Sequence, residues 1–372
     1  MRTIVARSTC FALLLAACGD NITVAPEQDG SVGSDASTPH TTAVVVAGDF
    51  TPGDPGVLSS LDVDTLEVTE RIAPNGAVAE DPVLRDIDGT LYVINRAAGN
   101  SITVLERDGK LIEQLPTGAG SNPQDVAVVG DKLYVPAFNT AGVVVLTRGS
   151  TETKTISLAN LDGDGKPNCV SAYTVDTDVY VACELLDANF LPRARGKVVV
   201  IDSATDTVRA TLTLTFRNPF GTFERLPNGD LVIPTVPSFG SFTAGCVERI
   251  IPGATPAVGS CVVNNSALAG YVSRIALDPA GATMLMIVSK FDTAPHGRLR
   301  AFDLATSTLA DPATPDAQVL VDAVVCPNGK LVVSDQASGA PGLRVYEGAT
   351  EVTTEPLAIG LAPSSNHGLA CF

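Results

Sequence analysis

Residues 123–135 read PQDVAVVGDKLYV: an apolar stretch, a Gly130-Asp131 turn, and a second apolar stretch opening at Leu133-Tyr134-Val135. Gly and Asp accept the backbone angles of a tight turn, and Val, Leu and Tyr suit a pleated, buried surface, so these residues predict a β-hairpin. The unit recurs. Turns at Asp88-Gly89, Asp176-Thr177-Asp178, Asn228-Gly229, Gly281 and Asn328-Gly329 are each followed by an apolar strand, opening at Leu91, Val179, Leu231, Leu285 and Leu331. Neighbouring units lie roughly 42 to 54 residues apart, the period of a β-propeller blade built from several short strands.

Working outward within the quoted unit, strands are expected at 123–129, 132–138, 143–147 and 154–158. A second signature marks the hairpin from third to fourth strand. Asp62, Asp202 and Asp303 are each followed three residues later by Thr65, Thr205 and Thr306, and both side chains can bond turn backbone. Inner strands are expected to begin near Asp81, Pro123, Cys169, Pro219, Tyr271 and Val321, which gives six complete units. Residues 41–73 resemble a blade lacking its first strand, with strands at 43–47, 57–62 and 68–72. The missing strand is expected from 366–372, so that both termini share one blade, seven blades close the ring and no sheet edge stays open.

The stretch GKVVVIDSATDTVRATLTL at 196–214, together with 123–135, resembles the YVTN-type repeats of seven-bladed propellers, relatives of lactonase-like and NHL-type propellers. The resemblance spans about 41–372 and is clearest in three or four blades. It implies an all-β fold of four-stranded blades with a composite terminal blade. It implies little about activity, because this architecture hosts many unrelated functions.

Ahead of the repeats, Arg2 and Arg7 flank a basic start and 10–17 is apolar, the layout of a secretory signal at 1–17. Leu15-Ala16-Ala17-Cys18 resembles the bacterial lipobox, which implies a lipid on Cys18, and Gly19 in place of Asp implies the outer membrane under the sorting rule of enteric bacteria. Residues 18–40 read as a disordered acidic tether: from Gly19 onward they carry Asp20, Glu27, Asp29 and Asp35, with no aromatic residue, Lys or Arg. The chain has 24 basic and 41 acidic residues, a formal net charge of −17. Nucleic acid is therefore not an expected partner. A membrane reached through the lipid is, and so is an unidentified protein, glycan or small ligand in the extracytoplasmic space.

Beyond Cys10 and Cys18 six cysteines remain, an even number in an exported chain, which suggests disulfides rather than free thiols. The hairpin reading places Cys169 opposite Cys183 and Cys246 opposite Cys261. Cys326 and Cys371 are left, late in the inner strands of the last complete blade and the composite blade. Asn160-Leu161-Asp162-Gly163-Asp164-Gly165-Lys166-Pro167-Asn168 carries oxygen ligands at positions one, three, five and nine and a backbone carbonyl, that of Lys166, at seven. It resembles the calcium loops of FG-GAP-type repeats, with Asn160 and Asn168 where that pattern has Asp. Two readings stand: a weak calcium site, or a solvated turn in which Asn168 shapes the start of a blade as Asn122, Asn218 and Asn366 do.

The chain has three His residues, His40, His296 and His367, and no Gly-x-Ser-x-Gly elbow, His-Glu-x-x-His helix or phosphate-binding Gly loop. Polar residues on or near inner strands are candidates for the channel mouth: Arg85, Asp86, Asp125, Glu224, Arg225, Arg274 and His367. With no nucleophile, base and metal gathered in one motif, a binding or scaffold propeller is favoured. The alternative is a lactonase-like hydrolase drawing a base and a cation from that group.

Overall fold

The computed structural model describes residues 40–238, 243–290, 297–311, 319–365 and 367–372. The signal, Cys18, the tether up to Pro39, His296 and Asn366 lie outside them. Seven antiparallel sheets form seven blades. Blade 1 comprises Pro82–Ile87, Thr90–Asn95, Ser101–Leu105 and Leu111–Pro116, and blade 2 comprises Ala127–Val129, Lys132–Pro136, Gly142–Thr147 and Thr153–Ser157. Blade 3 holds Cys169–Val175, Asp178–Cys183, Lys197–Asp202 and Thr207–Thr213. Blade 5 holds Tyr271–Leu277, Thr283–Ser289, Gly297–Asp303 and Thr308–Ala310, and blade 6 holds Leu320–Val325, Leu331–Asp335, Gly342–Glu347 and Thr350–Glu351. Blade 7 is composite: Leu369–Cys371 pairs with Thr42–Ala47, which pairs with Val57–Asp62 and then Val68–Thr69.

Blade 4 departs from the pattern. Its inner strand is only Glu224–Arg225, and the expected start survives as an isolated bridge from Pro219 to Thr235. Pro219 has no N–H to give a ladder, and Gly221 sits at φ +84°, which turns the chain before the strand resumes. Pro123 of blade 2 behaves alike, bridging Ala137 ahead of Ala127–Val129. The outer strand of blade 4 is split into Ala257–Val258 and Val263–Asn264, both paired with Cys246–Ile251. In blade 7 the outer strand stops at Thr69, short of the expected Ile72.

The hydrophobic core is divided into layers between neighbouring blades, because most inner and middle strands are covered on both faces. In Lys197–Asp202, Val198 and Val200 join the layer shared with blade 4, while Val199 and Ile201 join the layer shared with blade 2. The alternation of a strand thus appears as an unbroken apolar run. Burying each such Val contributes on the order of 1.5 to 3 kcal/mol. The outer strand Thr207–Thr213, by contrast, is mostly exposed.

Both turn signatures form. Asp88 and Gly89 take φ of 50° and 82°, the two positive values a tight hairpin turn needs to match strand twist. Asp62 accepts the N–H groups of Asp64 and Thr65, both at 2.9 Å, and Asp303 accepts those of Ala305 and Thr306 at 2.9 and 2.7 Å.

Ring closure is by register and by sulfur. Ala43 faces Cys371 and Val45 faces Leu369, and Thr42 and Phe372 exchange two backbone bonds of 2.9 Å. Disulfides join Cys169 to Cys183, Cys246 to Cys261 and Cys326 to Cys371. Cys169 and Cys183 are direct cross-strand partners. Cys261 lies in the break of the split outer strand, and Cys326 to Cys371 ties blade 6 to blade 7. Among the described residues no helix is long and apolar enough to cross a membrane.

Candidate functional site

Asp125 follows Pro123 into the inner strand of blade 2 and is fully buried. Its Oδ1 accepts from Arg85 Nε at 2.7 Å and from the Val126 N–H at 2.8 Å. Its Oδ2 accepts from Arg85 Nη2 at 2.7 Å, the Ser171 hydroxyl at 2.9 Å and the Ala172 N–H at 3.0 Å. A carboxylate so surrounded binds the next blade and fixes a fork-on-fork pair with the Arg of the preceding one.

Asp322 repeats the device in blade 6. Its Oδ1 accepts from Arg274 Nε at 2.7 Å and from the Ala323 N–H at 2.8 Å, and its Oδ2 accepts the Gly368 and Leu369 N–H groups at 2.5 and 2.9 Å. Arg274 Nη1 reaches Glu224 Oε1 at 2.5 Å. His367, at φ 85°, lies between the two Arg residues. Arg85 Nη1 is 2.6 Å from its Nε2, and Glu224 Oε1 is 3.7 Å from the same nitrogen.

Five sequence candidates, Arg85, Asp125, Glu224, Arg274 and His367, are therefore brought together on the propeller axis. The strand period of two separates Glu224 from Arg225, which is exposed and outside this network. Asp86 is not bonded to this cluster; it pairs with Arg107 at 2.6 Å and lines the cavity at the ends of the inner strands. Asp322 was not among the sequence candidates, although Asp322-Ala323 stands in its unit as Asp125-Val126 does in the quoted one.

The electrostatics are those of a closed circuit. Burial opposes charge on Arg85 and Arg274, but Asp125 on one, and Asp322 and Glu224 on the other, hold both guanidinium groups above their ordinary pKa. Burial, then Arg274 and Arg85, push His367 well below the ordinary 6.5. The neutral ring must accept the Arg85 N–H at Nε2, so its own proton sits on Nδ1, a buried atom with no hydrogen-bond partner among the described residues. The lone pair a general base would use is already taken. Beside the cluster, at the ends of the inner strands, a cavity of about 560 Å³ is lined by Arg85, Glu224, Arg274, His367, Tyr173 and Asp88.

The 160–168 loop precedes blade 3. Arg193 Nη1 pairs with Asp162 Oδ1 at 2.9 Å and Arg193 Nη2 with Asp164 Oδ2 at 3.3 Å, while Asp162 Oδ2 is buried without a partner. Asn168 accepts the Leu186 N–H at 3.0 Å and donates to the Phe138 carbonyl at 3.3 Å. Asn122, Asn168 and Asn218 have φ of 52°, 51° and 52°, so all three shape the start of a blade in the left-handed region. A cation entering the loop has to displace the Arg193 guanidinium. His40, Asp62 and Asp64 form a further group with metal-compatible spacing, and His40 Nδ1 lies 2.8 Å from Asp62 Oδ2.

No family model matches the sequence, and no curated protein matches it. Solved structures do. A protein from Bacteroides uniformis described as a candidate 6-phosphogluconolactonase superposes with a TM-score of 0.63 at 12% identity, over 90% of this chain and 99% of that one. The periplasmic gluconolactonase PpgL of Pseudomonas aeruginosa gives 0.58 at 16% identity, over 89% and 99%. AztD from Citrobacter koseri gives 0.53 at 11%, over 90% and 98%. The chain shares its fold with these proteins. It is a seven-bladed β-propeller with lactonase-like structural neighbours.

Proposed function

We propose that the chain is an extracytoplasmic, lipid-tethered propeller that acts as a binding or scaffold module for a protein, glycan or small ligand. One observation carries this reading: the axial charges are spent on one another. Both oxygens of Asp125 and Asp322 are occupied, both Arg residues hold carboxylates, and His367 gives its lone pair to Arg85. Such a cluster fastens blades together and commits both Asp carboxylates, both guanidinium groups and the His367 lone pair to structure. Three disulfides support an oxidising compartment, as does the periplasmic origin in PpgL's description. The lipobox-like Leu15 to Cys18 supports the anchor, and Gly19 supports the outer membrane. In this reading the 160–168 loop takes calcium weakly, in exchange for Arg193.

Lactone hydrolysis decides between this and the hydrolase reading, which draws on the lactonase-like neighbours and on the cavity beside Glu224, Arg274 and His367. The purified chain is expected to leave the hydrolysis of glucono-δ-lactone at the buffer rate. A saturable activity that Glu224→Gln abolishes without lowering the melting temperature would put the hydrolase in its place. For the anchor, Cys18→Ser is expected to abolish lipid labelling and release the protein from membranes; unchanged retention counts against the tether.

A further inference from the structure

A second cavity, of about 310 Å³, opens at the starts of the inner strands of blades 1 to 4, the end opposite the one that Arg85 and Glu224 face. Glu184 lines it, immediately after the second strand of blade 3, and is 5% exposed. Its backbone N–H bonds the Asn168 carbonyl at 3.0 Å. Among the described residues its carboxylate has neither a hydrogen bond nor an ion pair. Asn218, also in the lining and 2% exposed, donates from Nδ2 to the Val236 carbonyl at 2.9 Å, while its Oδ1 is buried without a partner among the described residues. Arg96, the cation in the same wall, is held by Asp81. Among the described residues, Glu184 and Asn218 Oδ1 thus face one cavity with no donor bonded to them, while Arg96 Nε in the same wall is buried without an acceptor; a ligand that brings N–H donors satisfies the two acceptors.

Three Phe residues join Val83, Val170 and Leu186 in the remaining wall. Phe138 and Phe190 stack with ring centroids 6.3 Å apart, and Phe190 leaves 65% of its surface exposed at the rim. Phe220 lies in the cavity lining, held edge-on by Tyr271 at 5.9 Å.

We infer that this cup binds a small organic cation, a primary ammonium carried on an apolar body, with Glu184 as its counter-charge. The ammonium supplies N–H donors to Glu184 and to Asn218 Oδ1, and the apolar body lies on the Phe rings, whose faces attract positive charge. Burial pushes Glu184 well above the ordinary carboxylate range, and an ammonium bound against it would relieve that cost. The overall charge of −17 draws cations and repels anions. This inference rests on the reading of the chain as a binding module and gives it a ligand class.

The test is calorimetric titration of the purified chain at neutral pH with 2-phenylethylammonium and with its neutral near-isostere 2-phenylethanol. The ammonium is expected to bind, and the alcohol to bind at least about tenfold more weakly, the worth of a hydrogen bond to a charged group. Glu184→Gln, which keeps the shape, replaces a carboxyl whose charged form burial disfavours and is expected to keep or raise the melting temperature, should weaken the ammonium about tenfold or more and leave the alcohol unchanged. Phe190→Ala should weaken both. Equal binding of the two compounds, unchanged ammonium affinity in Glu184→Gln, or no ammonium binding overturns the inference. Lactone hydrolysis by the same sample would end the binding-module reading while leaving a positive ammonium result intact.

Discussion

Replacing Asp125 by Asn changes one atom and removes one charge at the centre of the ring. Asp125 is fully buried and accepts five hydrogen bonds, two of them from Arg85, which is itself 8% exposed. The Asn keeps the shape but presents an NH2 to donors, so Arg85 is left charged, desolvated and partly unpaired. Breaking a buried pair from one side costs about 3 to 5 kcal/mol. Arg107→Ala, which breaks the pair with Asp86 at a side chain 42% exposed, should cost less than about 1 kcal/mol. Equilibrium urea unfolding with the disulfides oxidised measures both, and 1 M NaCl should weaken the Asp86 pair while sparing the axial one. In the double variant Asp125→Asn with Arg85→Met, the loss should fall short of the sum of the singles by at least about 1 kcal/mol. An Asp125→Asn variant within about 1 kcal/mol of the parent, or an additive double variant, refutes the account of the cluster as a structural circuit.

Three further outcomes are expected. Replacing Cys326 and Cys371 together by Ser should cost about 2 to 4 kcal/mol by freeing the closing blade, and non-reduced peptide mapping should recover the three pairs described above. Because His367 is held neutral, the unfolded chain takes up a proton that the folded chain refuses as pH falls below the ordinary 6.5. The His367 contribution is therefore complete above that pH and declines by up to about 1.4 kcal/mol per pH unit below it, so His367→Gln should lose less stability than the parent between neutral pH and pH 5 in the same urea titrations. Arg193→Gln frees Asp162 and Asp164, so millimolar calcium should raise its melting temperature more than the parent's; equal melting in calcium and chelator for both proteins leaves 160–168 an ordinary turn.

What the sequence discloses about this chain is what is local. A turn next to an apolar strand is contained in about ten residues, so the blades, the Asp62, Asp202 and Asp303 turns and the facing cysteines could be read from residue order and strand period. The axial cluster is local in none of its contacts between side chains. Arg85 meets His367 across 282 positions, and Asp322 meets Leu369 across 47. Sequence indicated which charged residues lay on inner strands, but the side each faced depends on where the strand starts, and a short inner strand in blade 4 left Glu224 and Arg225 indistinguishable. Glu184 escaped for a different reason. It follows Cys183 at the edge of an apolar strand, where a Glu ordinarily reaches solvent, and only the three-dimensional structure shows the loop of blade 3 folding over it.

The placement of the charges follows from the ring itself. Inner strands near the axis present small side chains, among them Ala127, Ala172, Ala323 and Ala370, all buried or nearly so, and seven such strands cannot close the axis by apolar packing alone. Arg is the side chain long enough to cross it. Arg85 from blade 1 reaches blades 2 and 7, Arg274 from blade 5 reaches blades 4 and 6, and Asp125 passes the connection to blade 3 through Ser171. Two hydrogen-bonded networks, meeting where His367 Nε2 lies 3.7 Å from Glu224 Oε1, therefore touch all seven blades between them. A group that leaves either network takes with it contacts to several blades at once, which makes the axis a poor place for chemistry that needs side chains to exchange partners. The cup beneath Phe190 has no such obligation: among the described residues the Glu184 carboxylate bonds no other blade, so Glu184→Gln can test the proposed cation without loosening the axis.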